Sequence, residues 1–371
     1  MNCLLTGASG ILGSHILFEW LRKALIEQSV EHLFVVIRDT EKTAEERLVD
    51  ILQDKSRPEF LKAFPLQAYL EKVSVIAEDL SSLNKQTLEQ YDFDTVIHCA
   101  GSTSLQQTTQ SKDEVYQQNF LVTKQLIDQL PSKANRFLYI STAFSFGIQD
   151  QKVSDQMEKH AVSQFRNPYE QSKYECEQHV KESCQAKNIN AQILRPSIIC
   201  GRLLDKPFFE TPKYDVFYSW AIFLDKHAKK SLEKFRIWVD KKSGLNIVPV
   251  DFVSRAVLHA FSNPKIEELN IVNPKQILHT DYVGEVLEAF NIRSYEYQEQ
   301  KPENLNPFET LYYKSIGSLF EKYVSVPDLQ FQAEEIMKLI DQWQLELTLG
   351  VHENFMNLIN YSVRQRFKES Y

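Results

Sequence analysis

"NCLLTGASGILGSHILFEWL", residues 2 to 21, decides how the chain is read. It opens with an apolar run over 2 to 7, passes through three glycines, and continues with Ile16, Leu17, Trp20, Leu21, Ala24 and Leu25. The spacing of that stripe predicts a helix packed by one face. Strand, glycine turn and helix in that order form the opening of a βαβ unit that binds a dinucleotide. Gly7 permits the tight turn, Gly10 lets backbone N–H groups approach a pyrophosphate, and Gly13 lets helix and strand pack closely. Gly7, Ser9, Gly10, Ile11, Leu12 and Gly13 are the candidate contacts. The phosphates would lie at the positive end of the helix.

Working outward, β-rich runs recur at 32 to 37, 72 to 77, 95 to 100, 136 to 141 and 190 to 195, with longer helical patterns between them. Alternation of this kind predicts an α/β fold, a Rossmann-type doubly wound parallel sheet. Residues 1–200 are expected to form the NAD(P)-binding domain. Residues 201–371, aromatic-rich and broken by prolines, are expected to form a smaller, mostly helical substrate region interleaved with it.

Open parallel sheets bind ligands at the carboxyl ends of their strands, so the residues found there are the next candidates. The second run ends in Arg38 and Asp39, a cation for a 2′-phosphate beside an acid for a free ribose diol, and Arg47 follows within two helical turns. The two cations favour NADPH over NADH. Asp79 and Leu80 follow the third run, Ala100 and Gly101 the fourth, and Pro196 the sixth. Asp79 is expected to accept the adenine amino group, and the small residues to let backbone approach the cofactor.

The fifth run ends in "ISTAFSFG", with Ser141 and Thr142, and "NPYEQSKYECE" follows at 167 to 177. Among sixteen tyrosines a Tyr-x-x-x-Lys arises by chance, and Tyr297 with Lys301 is a second example. Context separates the two, because only Tyr169 and Lys173 follow the fifth strand and its Thr142. With this set the chain resembles an extended short-chain dehydrogenase/reductase over its whole length. The resemblance implies that Thr142, Tyr169 and Lys173 are catalytic, and that Tyr169 and Lys173 also touch the cofactor. Lys173, one turn on and about 5–6 Å away, is expected to favour the phenolate by about 3 kcal/mol at an effective dielectric of ~20.

Within that family, Ala143 and Phe144 stand where sugar-nucleotide dehydratases carry acids, and 31 residues separate Gly7 from Asp39. Together with "TAEERL" this resembles the thioester reductase and fatty acyl reductase branch. The resemblance implies reduction of an acyl thioester, held on coenzyme A or an acyl carrier protein, to aldehyde or alcohol. An extended-type dehydrogenase or nucleotide-sugar epimerase acting on a hydroxyl or ketone is the alternative. Aromatics between Phe208 and Phe223 suit either an acyl tunnel or a core, and Lys226, Lys229, Lys230, Lys234 and Arg236 suit either an acidic partner or solvent.

Composition narrows the remainder. A net charge of −8 argues against nucleic acid as a partner. No apolar run reaches the ~20 residues of a membrane span. The opening "MNCLLTGASG" has no basic n-region, so cytoplasmic residence is expected. Five unclustered cysteines read as reduced thiols, and no metal site is expected. Phe355, Ile359, Val363 and Phe367 recur every four residues, a helix that packs on its own domain or meets an external surface.

Overall fold

A computed structural model of the chain describes residues 1–106, 108–228 and 234–371. Seven strands form one sheet: β1 (Cys3–Thr6), β2 (Leu33–Val36), β3 (Val73–Ile76), β4 (Thr95–His98), β5 (Arg136–Ile140), β6 (Asn190–Pro196) and β7 (Glu268–Ile271). Their order is β7-β6-β5-β4-β1-β2-β3, and all neighbours run parallel. β1 and β4 are buried at every position, as expected of strands covered on both faces. The fold is a Rossmann-type α/β sheet, and all six expected strands are present.

Helices of eight or more residues are α1 (Ile11–Arg22), α2 (Ala44–Gln53), α3 (Thr109–Tyr116), α4 (Val122–Gln129), α5 (Pro168–Ala186) and α6 (Phe217–His227), then α7 (Val250–Ser262), α8 (His279–Ala289), α9 (Pro307–Lys314), α10 (Ile316–Val324), α11 (Glu334–Gln342) and α12 (Val351–Arg364). α1 and α7 cover one face of the sheet, where Trp20 meets Phe261 edge to face at 5.2 Å. Leu126 and Ile127 of α4 and Cys176, Val180 and Cys184 of α5 cover the other. The chain therefore returns to the sheet after residue 200, through α7 and β7.

A second core joins α6, α8, α9, α10 and α12. Tyr214, Phe217, Tyr218, Trp220 and Phe223 are buried within it, while Phe208 is exposed and Phe209 half-buried, so most of this aromatic stripe packs as core. Phe355 and Ile359 are buried there as well, so the last helix packs on its own domain. Arg236 pairs with Glu309 and Lys234 with Glu296, while Lys229 and Lys230 lie outside the described residues. Lys301 pairs with Glu321 at 2.6 Å and the Tyr297 hydroxyl donates to the Thr280 carbonyl at 2.7 Å, so the second Tyr-x-x-x-Lys is structural. All five cysteines are free.

One buried ion pair ties the two parts of the sheet domain together. Arg195, on β6, and Glu177, on α5, both have 0% side-chain exposure and lie 2.7 Å apart. Glu177 accepts hydrogen bonds from Ser141 and, at 2.7 Å, from Ser145. Arg195 reaches Glu268 of β7 at 2.5 Å and donates to the Asp155 carbonyl at 2.8 Å. Removing one partner of such a pair leaves a buried charge short of compensation, a cost of about 3 kcal/mol or more. Glu177→Gln is predicted to lower the unfolding free energy read from urea titration by that amount, and an unchanged value would show that Glu268 alone compensates Arg195.

Candidate functional site

The glycine turn has the geometry a pyrophosphate cradle needs. Gly7 has φ +77°, a left-handed conformation that glycine adopts without strain, and its carbonyl accepts from the Gly10 N–H at 2.9 Å. A Cβ on Gly13 would stand 2.0 Å from the Gly7 oxygen, so only hydrogen fits where α1 crosses the turn. Gly10 caps α1 with no side-chain bond to the first turn, and that turn carries no acid. Its N–H groups and the helix dipole are thus available to an anion, with no acidic residue in the first turn to compete. Ser9, Gly10 and Ile11 are half-buried on this turn, and Leu12 is buried in the core beneath it.

The strand ends distribute the other candidates along one edge of the sheet. After β2, the Asp39 carboxylate accepts from the Ala44 N–H at 2.8 Å and so belongs to the start of α2, which Thr43 and Glu46 also cap. Arg38 is 66% exposed and pairs with Asp79 at 3.2 Å. Arg47 donates to the Arg38 carbonyl at 2.5 Å, which brings two guanidinium groups to the end of β2. Asp79 also accepts from the Ser81 N–H and hydroxyl at 2.9 and 2.6 Å, and these bonds hold its carboxyl below its usual range. Leu80 is half-buried beside it, the Ala100 N–H donates to Thr6 at 3.3 Å ahead of Gly101, and Pro196 is buried at the end of β6.

Thr142 follows β5 in extended conformation and caps the short turn Ala143–Phe146. Tyr169 and Lys173 lie on α5, which starts at 168 because Asn167 caps it, Pro168 suits its first position, and the Glu170 N–H donates to the Asn167 side chain at 3.0 Å. Lys173 is buried, donates to the Ile140 carbonyl at 2.8 Å, and holds its ammonium 4.7 Å from the Tyr139 ring centre. Burial pushes the Lys173 ammonium down and the Tyr169 phenol up to about 12, against a hydrogen bond from Thr142 that favours the phenolate. The expected drive toward phenolate is therefore reversed by desolvation. That shift favours the protonated phenol, the form able to donate to a carbonyl as it is reduced.

Two residues that the sequence reading passed over join these segments. Asn119 is buried on a π turn, Gln117–Leu121; it accepts from the Ser102 N–H at 2.7 Å and donates to the Ser172 hydroxyl at 2.9 Å. His98 Nδ1 meets Thr6 at 2.7 Å, and its Nε2 meets Thr123 at 2.9 Å. Because the Thr123 hydroxyl donates to the Asn119 carbonyl at 2.6 Å, it accepts from His98 Nε2–H, and Thr6 donates to Nδ1. His98 is thereby fixed as one neutral tautomer, and burial pushes its pKa down to about 3. The signal was available: Val115, Asn119, Thr123 and Leu126 form one buried stripe, and a polar residue on such a stripe needs a partner.

This fold and this site define an extended short-chain dehydrogenase/reductase. The family model described as male sterility protein matches residues 5–257, and the chain belongs to that family. Human UDP-glucose 4-epimerase is 27% identical over 52% of this chain and 51% of its own length. Chicken (Gallus gallus) fatty acyl-CoA reductase 1 is 26% identical over 56% of this chain and 44% of its own. The chain thus spans about half the length of the curated relatives it matches. Among solved structures, the terminal R domain of the myxalamid PKS-NRPS pathway superposes with a TM-score of 0.69 at 16% identity, covering 100% of this chain and 92% of that one. UDP-glucuronic acid 4-epimerase of Bacillus cereus gives 0.64 at 18%, covering 97% and 99%. Among the described residues, no helix is long and apolar enough to cross a membrane.

Tyr169→Phe removes only the hydroxyl. It is predicted to retain dinucleotide binding by fluorescence titration while losing at least about a hundredfold in turnover. Tyr297→Phe serves as the control, and the reverse pattern would reassign the active pair.

Proposed function

We propose that the protein reduces an acyl thioester, bound to coenzyme A or a carrier protein, with NADPH. The observation that carries this reading is the end of β2, where Asp39 is drawn into the cap of α2, Arg47 bonds the Arg38 backbone carbonyl, and the Arg38 side chain is 66% exposed beside Asp79. That arrangement supports recognition of a 2′-phosphate over a free ribose diol. Preference for NADPH suits net reduction. The 26% identity to a fatty acyl-CoA reductase supports the thioester as substrate.

The glycine turn would hold the pyrophosphate, Arg38 and Arg47 the 2′-phosphate, and Lys173 the nicotinamide ribose. The reducing equivalent is the hydride of NADPH. As charge gathers on the carbonyl oxygen, Thr142 and Tyr169 hold it by hydrogen bonds, each worth about 3 kcal/mol of barrier. Tyr169 gives up its proton to that oxygen, and the hemithioacetal collapses to aldehyde and free thiol.

Arg38→Ala is predicted to raise the KM for NADPH at least about tenfold while leaving that for NADH unchanged, as steady-state assays with both cofactors would read. Thiol release coupled to NADPH oxidation tests the substrate: one NADPH per thiol means aldehyde, two mean alcohol. The 27% identity to UDP-glucose 4-epimerase favours a second reading, in which the protein purifies with NAD and turns over a nucleotide sugar. A panel of short, long and aromatic acyl thioesters that releases no thiol, while a simple ketone or nucleotide sugar turns over, would decide for the second.

A further inference from the structure

Tyr323 lies on α10, 154 residues beyond Tyr169, yet it touches both segments that carry the proposed oxyanion donors. Its hydroxyl donates to Glu170 Oε1 at 2.7 Å and accepts from the side chain of Asn167, the cap of α5. Its ring meets Phe144, two residues past Thr142, edge to face at 5.8 Å and 86°. The Arg166 guanidinium lies 5.4 Å from the centre of the same ring, and the Lys322 ammonium donates to the Arg166 carbonyl at 3.1 Å. Glu170 is fully buried, accepts from the Arg166 N–H at 2.9 Å, and adjoins Tyr169 in the first turn of α5.

The local cap alone would fix the start of α5 relative to its own axis. It would not fix that start relative to the turn bearing Thr142, which comes from β5. Glu177 ties α5 to that turn through Ser141 and Ser145, and Arg166 reaches the Gly147 carbonyl at 2.9 Å. Tyr323 adds a link at the first turn of α5 itself, a hydroxyl bonded to one segment and a ring packed on the other. A hydroxyl bonded on two sides has little freedom to shift. An oxygen that must be met by two donors at once is sensitive to the distance between them, and small misplacements carry large rate costs.

We propose that Tyr323 is a positioning residue for proton donation by Tyr169, holding the first turn of α5 and the Thr142 turn at one separation. The proposal rests on Tyr169 as the proton donor. It makes the C-terminal region part of the proton-delivery apparatus.

Tyr323→Phe keeps the ring contacts and removes the bonded hydroxyl. Measured with whichever substrate of the two readings turns over, it is expected to lower kcat roughly tenfold, with dinucleotide affinity unchanged. The solvent deuterium isotope effect on kcat should rise as proton delivery slows relative to other steps. Glu170→Gln, an isosteric change, should do the same, and the double variant should be no worse than the poorer single one, because both act through one path. Parental kcat and isotope effect in Tyr323→Phe, with only a lower melting temperature, would overturn the proposal and leave Tyr323 as packing. Full activity in Tyr169→Phe would instead overturn the reading beneath it.

Discussion

The Arg195–Glu177 pair is the constraint on which the site depends. Two fully buried charges in a protein interior persist only with near-complete hydrogen bonding, and here each remaining valence is met by a segment that must stay put. Glu177 takes the hydroxyls of Ser141 and Ser145, which flank Thr142 on both sides. Arg195 takes Glu268 and the Asp155 carbonyl, which anchor β7 and the loop ahead of α5. The position of Thr142 is therefore set by electrostatics behind the sheet edge and does not depend on the flexibility of its own turn.

A second line of polar groups serves the cofactor side. From the Ala100 N–H through Thr6, His98 and Thr123 to Asn119, the donors run in one direction. Asn119 continues to Ser172, whose hydroxyl donates to the Tyr169 carbonyl at 2.9 Å. The strand next to the glycine turn and the helix bearing Tyr169 are thus held by one chain of satisfied bonds. An unmet buried donor costs about 1–3 kcal/mol, so the chain resists partial loosening, and the neutral state of His98 belongs to that completeness.

The sheet was legible because its strands are short apolar runs buried on both faces, and the glycine turn because a Cβ at Gly13 is sterically forbidden. β7 was missed for a physical reason. Its sequence, Glu268–Ile271, alternates polar and apolar over only four residues, since Glu268 and Asn270 serve the Arg195 network, and so it lacks the continuous apolar run that marks the other buried strands. The Tyr169–Lys173 pair was legible only through its context, and its electrostatics were not, because spacing conveys the Lys173 charge but not the burial that outweighs it. Glu170 and Tyr323 were invisible for a different reason: the contact spans 153 positions, and neither residue belongs to a motif.

That long contact bears on how such a sheet can acquire new substrates. The strand ends supply binding and chemistry from local motifs, each fixed by a turn or a cap. The separation between donors from different strands is fixed by no local rule. It must come from a bridging side chain or from the pair behind the edge. Here the pair fixes Thr142, the Asn119 chain fixes the middle of α5, and Tyr323 fixes its first turn. The region after residue 200 can vary in length and sequence around these points, provided it keeps one aromatic hydroxyl at the mouth of α5. Proton delivery is then tied to the C-terminal region through a single side chain.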